Sequence, residues 1–357
     1  MSVTTPLRPT PAPIQIPRVR PKSFNRRDLM VLFGAVSASF GLVWLLYTQL
    51  LPFQGIQGFL ICWISAFLAF YFAAVREIDG RVIARDRTMA ALVSVMAVAI
   101  VIPLALIIGY VFAKGLPYLR LTFFTTTMAD VSPTDPATQA GGLQAIVGTV
   151  EQVGIAALIS IPLGVLTAVY LNEVRGRLQR PVRIFVDAMS GTPSIVAGLF
   201  IYAVLVSKSG FSGFSAALAL SVLMLPTVTR TSEVVLRLVP DGLREASLAL
   251  GSPQWKTVWR VVLPSARSGL ITAGILGVAR VIGETAPLIL TAYGNPFMNT
   301  NPFSGPQAAL PLTAYNLFRL FGPSVNEAWT YASVLVLIVL ILFVTARRIG
   351  RRQFARA

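Results

Sequence analysis

A chain of 357 residues with 55% apolar and only 12% charged side chains has too little polar surface for a water-soluble domain, where about a quarter of residues are charged. The formal charge is +16, with no histidine and one cysteine, Cys62; this removes the commonest general base and metal ligand and any internal disulfide. The arginines cluster in loops as membrane topology demands, so the charge excess does not point to nucleic acid, and a lone thiol in an apolar run reads as inert packing.

Residues 1–28 are Pro-rich and basic (Arg8, Arg18, Arg20, Lys22, Arg26, Arg27), without an apolar core or a small-residue cleavage site; they read as a flexible cytoplasmic tail. Eight apolar runs follow, at about 29–51, 53–74, 89–112, 144–172, 184–206, 212–230, 268–292 and 329–346, each near the roughly 20 residues a spanning helix needs. The third has no charge between Met89 and Ala113; the sixth is weak by length, and Pro226 is expected to kink or unwind its end. Basic residues gather before the first run and after the second (Arg76, Arg81, Arg85, Arg87), fourth (Arg175, Arg177, Arg180, Arg183) and sixth (Arg237, Arg244, Lys256, Arg260, Arg267), and again in the C-terminal 347–357. The alternate loops are poor in them. Both termini in the cytoplasm and an even number of spans satisfy every loop. The outward loops near 114–142 and 293–327 read as irregular, with a short interfacial helix at 312–321 anchored by Tyr315 and Phe318.

The loop between the sixth and seventh runs has its own pattern. Pro240 and Asp241 start a helix, Leu243, Ala246 and Leu250 follow at helical spacing, and Gly251 before Ser252 and Pro253 stops it. A second amphipathic stretch runs from Trp255 to Leu263 and ends at Pro264, which predicts a compact knob projecting from the membrane. The segment Glu245-Ala246-Ser247, three residues, Gly251, nine residues, then Val261-Val262-Leu263-Pro264 resembles the EAA loop of ABC importer permeases, with Ser247 and Val261 as its departures. What the resemblance implies is a coupling helix at about 241–264 that docks on a cytoplasmic ATPase subunit, with Glu245, Ala246, Ser247, Gly251, Leu263 and Pro264 at the motif positions. The competing reading is an ordinary amphipathic surface helix.

The seventh run holds Arg280 near its midpoint, where a charge is costly and suggests function. Glu284 is four residues on, so the two are expected on one helix face and able to pair, with Pro287 loosening the backbone beyond. A guanidinium in a low-dielectric cavity suits an oxyanion, which it can grip in a bidentate manner. The pair is neutral by itself, so an anion path wants a second cation, and Arg230 at the end of the sixth run is the candidate. The alternatives are a purely structural ion pair and an Arg230 that snorkels to the surface. Glu151 and Asp187 lie near the ends of their runs and read as reaching the interface.

The string Gly283-Glu284-Thr285-Ala286-Pro287-Leu288, with Arg280 before it and Ile289 to Ala292 after, is similar to the signature of the PstA family of phosphate ABC transporter permeases. The stretches 142–149, 164–173 and 192–200, and Leu225-Pro226 with Arg230, also resemble that family, over about 89–346. The implied architecture is all-α: about eight transmembrane helices, with a type I ABC importer permease core at 89–346, an extra N-terminal hairpin and loop at 29–88, and basic tails at 1–28 and 347–357. The implied assembly is a heterodimer with a PstC-like permease, two PstB-type ATPase subunits and an extracytoplasmic PstS-type phosphate-binding protein in a bacterial cell membrane. Arg230, Arg280 and Glu284 would line the path of inorganic phosphate. No cofactor is expected on this chain, because it lacks a phosphate-cradling Gly-rich Lys/Ser motif; ATP and magnesium belong to the partner ATPase, so the chain is expected to be no enzyme. A sulfate or molybdate permease of the same class is the nearest alternative, and an ion-coupled secondary anion carrier the next.

Overall fold

The computed structural model describes residues 26–50, 55–129, 131–174 and 176–354, with side chains to Ile349. Residues 1–25 of the expected tail and Arg175 of the fourth basic loop lie outside these, as do 355–357. The chain divides within one helix, at Leu104, into two compact units. The hairpin boundary expected at 88 falls inside that continuous helix, α3 (Arg81–Gly115).

In the first unit, α1 (Arg26–Leu45) continues into a π turn at Leu46–Leu50 and packs on α2 (Ile56–Asp79). Ala35, Phe67, Tyr71, Val75 and Ala84 form its small core. The basic loop expected after the second run is reduced to Gly80; Arg81, Arg85 and Arg87 occupy the first turns of α3 instead. Arg87 bonds Asp28 at 2.7 Å and reaches Asp79 at 3.2 Å, so part of the basic cluster ties the hairpin together at its charged end.

The second unit holds α4 (Leu143–Val169) with a π turn to Val174, α5 (Gln179–Ser190), α6 (Ser194–Ile201), a π turn at Tyr202–Val206, α7 (Ser207–Ser209) and α8 (Gly213–Arg237). Then come α9 (Asp241–Ala249), α10 (Gln254–Thr257), a π turn at Val258–Val262, α11 (Leu263–Val281), α12 (Ala286–Thr291), α13 (Leu310–Phe318) and α14 (Ser324–Phe354). Among the described residues, seven helices are long and apolar enough to cross a membrane, and a bent pair is the eighth candidate. The α13 helix is the short one expected near 312–321, with Tyr315 and Phe318 both exposed.

Three expectations about the spans change. The run at 184–206 is not one helix: α5 and the α6–α7 segment meet at 104° across Gly191-Thr192-Pro193. Proline fixes its own φ and disfavours the α conformation at the residue before it. The α5 helix is amphipathic, mixing Arg180, Arg183 and Asp187 with apolar residues, as suits a helix lying along a surface, whereas α6 is apolar throughout after Ser194. The sixth span does not unwind at Pro226. α8 is continuous through it, and the hydroxyls of Thr227 and Thr229 donate to the carbonyls of Leu223 and Leu225 in the same turn.

The low apolarity of α8 also has a cause: it is the most enclosed helix of the bundle, two thirds buried, so it faces protein rather than lipid. Small residues let its neighbours close on it. A Cβ at Gly277 would stand 2.6 Å from the Val228 side chain, and one at Gly164 2.9 Å from the same side chain. The resulting core joins Ala216, Leu220, Met224 and Val228 of α8 to Ala156, Val281, Leu288 and Leu312. Third, the seventh span begins at Gln254 rather than near 268 and stops at Val281.

Candidate functional site

The α5–α6 bend, the second half of α8 and the last turn of α11 enclose a cavity of about 210 Å³ lined by Met189, Ser190, Thr192, Leu223, Pro226, Thr227, Arg230, Thr231 and Arg280. Two arginines fifty positions apart thus reach one space, Arg230 from α8 and Arg280 from α11. Arg230 donates to the carboxylate of Asp187 on α5, so the acid read as an interface residue is the ion-pair partner of a cavity-lining arginine, without itself lining the cavity. Arg280 has no carboxylate within ion-pair reach among the described residues.

The expected Arg280–Glu284 pairing on one helix face does not form. α11 ends at Val281, and Glu284 sits half-buried in the break before α12 with its backbone N–H on Val281 O at 3.1 Å. Helical spacing places side chains on one face only while the helix persists. Here Gly283 and the proline at the second position of α12 end it. Glu284 does not line the cavity.

The hydroxyls around the arginines are held by their own helices. Ser190 donates to Val186 O at 2.9 Å, Thr192 to Ala188 O at 3.0 Å and Thr231 to Thr227 O at 2.8 Å. Two guanidiniums against one carboxylate leave the cavity one positive charge in excess. A guanidinium offers five donors in a planar fork and accepts nothing, so such a space suits a small anion with several acceptor oxygens.

The second region is the segment from Pro240 to Pro264. α9 starts after Pro240 with Asp241 in its first turn, and Gly251, at φ +77°, terminates it; that left-handed conformation costs glycine nothing and other residues more. No residue of α9 is buried, and Leu248, Leu250, Trp255 and Trp259 are exposed. The expected stop at Pro264 is overturned. α10, the π turn and α11 run on as one element from Gln254 to Val281, with Pro264 inside it just after the π turn. The segment is therefore a short helix attached to a continuous lever about 40 Å long at 1.5 Å per residue, and Arg280 stands at its far end.

Arg244 fastens α9 to the bundle. It donates to Glu173 from Nε at 3.1 Å and Nη2 at 2.9 Å, to the carbonyls of Leu236 at 2.9 Å and Val239 at 2.7 Å, and to Asp241 at 3.0 Å. The hydrogen bond to Glu173 raises the Arg244 pKa further, against the opposing effect of burial. Gln254 donates to Glu173 O at 2.6 Å. Ser247, one of the two departures from the EAA pattern, shares a hydrogen bond with Thr257 at 2.8 Å, closing α9 onto α10.

Sequence reasoning assigned no role to Arg244 or Glu173, nor to Arg183 and Arg237, which share Glu233. The only local signal for these pairs was an acid at a span end beside a basic loop. Glu151, the other acid read as reaching the interface, accepts from Gln307. Gln307 in turn accepts from Gln152 at 3.0 Å, pinning the 293–309 loop to α4.

A membrane bundle with an anion-suited cavity and an exposed helix joined to a long lever is the class of protein these elements define: a membrane-spanning transport subunit. The family model described as "Binding-protein-dependent transport system inner membrane component" matches residues 160–355. The chain is 41% identical over 265 residues to "Phosphate transport system permease protein PstA 1" of Mycobacterium tuberculosis (strain CDC 1551 / Oshkosh), covering 70% of this chain and 86% of that one. It is 39% identical over 238 residues to the PstA permease of Pasteurella multocida (66% of this chain, 83% of the relative), and 40% identical over 238 residues to that of Haemophilus influenzae (66% and 82%). The chain belongs to the family of binding-protein-dependent transport system inner membrane components, among the PstA permeases.

Proposed function

We propose that this chain is the PstA-type permease subunit of an ATP-driven importer of inorganic phosphate and that its cargo passes the cavity holding Arg230 and Arg280. The observation that carries the reading is the convergence of these two arginines, one with no carboxylate within ion-pair reach among the described residues, on a space of about 210 Å³. The names of the relatives supply the cargo; the physics alone supports an oxyanion. Glu284 stands at the hinge between α11 and α12, and its role in this reading is at the rim of the path.

The assembly is a heterodimer with a PstC-like permease in the bacterial cell membrane, with both termini in the cytoplasm as the basic loops require. Two PstB-type ATPases carry the ATP and magnesium and receive α9 with Glu245, Ala246 and Ser247. A PstS-type binding protein delivers phosphate from the other side. Closure of the ATPases moves α9, the lever from Gln254 to Val281 carries that motion through Leu263 and Pro264, and the Arg280 end of the cavity shifts with it.

The test is uptake of labelled phosphate at micromolar concentration in cells lacking the gene, with the wild-type or Arg280→Ala chain restored and sulfate or molybdate as competitor. The expected result is ATP-dependent uptake, indifferent to both competitors and lost in Arg280→Ala while the chain stays inserted. Wild-type uptake in that variant removes Arg280 from the path. Transport of sulfate or molybdate in place of phosphate keeps the architecture and overturns the cargo, and uptake driven by a proton gradient alone points to a secondary carrier.

A further inference from the structure

α5 has an open side that the bundle does not use. The helix packs on α8, with Val186 buried and Arg183 on Glu233 at 2.7 Å. Ile184, two positions from Val186 and so on the opposite face of a 3.6-residue repeat, is 59% exposed, and Phe185 beside it 65%. Leu178, just before the helix, is exposed as well. Arg177 and Arg180 are also exposed, and among the described residues neither has a carboxylate within ion-pair reach. The acids of this corner are already taken: Glu233 by Arg183 and Arg237, Asp187 by Arg230, and Glu173 by Arg244.

We propose that this side of α5 binds anionic phospholipid, with Arg177 and Arg180 on the headgroup phosphates and Leu178, Ile184 and Phe185 against the adjoining acyl chains. The inference goes beyond the transport reading and does not depend on the cargo. The order along the chain matches a leaflet. The two arginines come first, and Ile184 and Phe185 follow about one turn later, roughly 6 Å on at 1.5 Å per residue. An interfacial helix sinks its apolar face about 5–10 Å into the boundary between headgroups and chains. A guanidinium fork fits phosphate oxygens in pairs, and its stem lies along apolar surface while the charge stays at the headgroups.

The missing charge decides between lipid and protein on this face. A second permease would be basic along its own inner rim by the rule that makes this one basic, and would bring cations to cations. The lipids of the cytoplasmic leaflet bring anions. α5 starts at the end of the bundle that carries α9, since Gln179 donates to Leu171 O at 2.8 Å, two residues before the Glu173 that holds Arg244. The basic loops put that end at the cytoplasmic leaflet. At its other end α5 contributes Met189 and Ser190 to the cavity wall, so the lipid grips the element that shapes the cavity.

The test uses the whole complex purified through this chain, in nanodiscs of phosphatidylcholine with a trace of photoactivatable phosphatidylglycerol or photoactivatable phosphatidylcholine, the reactive group in the acyl chain. Lipid attached to residues 181–190 is measured by mass spectrometry for the wild type, the Arg177→Gln/Arg180→Gln double variant and the Arg177→Lys/Arg180→Lys double variant. The wild type is expected to be labelled preferentially by phosphatidylglycerol. Each arginine near an anionic surface contributes a factor of about five, so the glutamine variant should lose about tenfold or more of that preference, with its phosphatidylcholine labelling unchanged. The lysine variant, which keeps both charges, should retain most of it.

Equal labelling of the wild type by the two lipids, or a glutamine variant with the wild-type preference, overturns the proposal. Absence of either lipid from residues 181–190 overturns it too and leaves this face to a partner subunit. If the double variant does not assemble, Arg180→Gln alone is read by the same criteria, with a loss of about fivefold expected.

Discussion

Replacing Arg244 with alanine cuts the connection between α9 and the rest of the bundle at its most bonded point. Its guanidinium makes two bonds to Glu173, two to carbonyls at the end of α8 and its following turn, and one to Asp241. The Arg244 and Glu173 side chains are only 17% and 8% exposed, so the loss leaves a nearly enclosed carboxylate without its cation. Breaking such a pair costs about 3–5 kcal/mol. Taking the lower figure, because α9 is open to water and relaxes, about 3 kcal/mol shifts the opening equilibrium by roughly 150-fold at 1.36 kcal/mol per decade. Amide hydrogen exchange over residues 243–250 reads that opening directly. Exchange faster by about two orders of magnitude is expected in Arg244→Ala, with an intermediate value in Arg244→Lys, which keeps the charge and loses the planar fork. Phosphate uptake should fall with it while the chain remains inserted. Exchange within a few-fold of the wild type would refute the view that this cluster holds α9 in place.

Three further outcomes follow from the same structure. Ser247→Ala removes the bond to Thr257 and restores the residue of the EAA pattern; it should cost about 1 kcal/mol of local stability at most and leave uptake within twofold, measured in the same cells. Gly198→Ala puts a Cβ 2.6 Å from the Cα of Pro287, a backbone atom that cannot step aside. About 1–3 kcal/mol of overpacking should lower the thermal aggregation midpoint in detergent, and an unchanged midpoint would mean α6 and α12 are not in contact. Arg87→Leu deprives Asp79 and Asp28 of the cation between them at the charged end of the hairpin. The expected result is faster proteolytic cleavage near Gly80, with cleavage at the wild-type rate as the contrary finding.

Much of the membrane architecture was legible in the sequence. Run length sets which segments can span a bilayer, and six of the eight expected runs are single helices near the expected places, while the run at 268–292 is broken after Val281. The start of α9 at Pro240–Asp241 and its stop at Gly251 were legible too, because proline, a first-turn acid and a left-handed glycine act within a few residues. The run at 184–206 misled because apolar content does not report direction. Pro193 with Gly191 announced a break, but the 104° turn depends on what α5 and α6 each pack against. The sixth run read as weak by its length, yet α8 is the span most enclosed by protein.

Local spacing by itself determined which segments are helical, where α9 begins and ends, and that Arg280 and Arg230 are charges in apolar surroundings that need a reason. Only tertiary structure decided their partners. Arg230 meets Asp187 across 43 positions and Arg244 meets Glu173 across 71, while Arg280 and Glu284, four apart, are separated by a helix end. A repeat of 3.6 residues constrains neighbours along one helix and carries no information about which helix will lie alongside. That choice is made by the packing of small residues around α8, a property of the whole bundle.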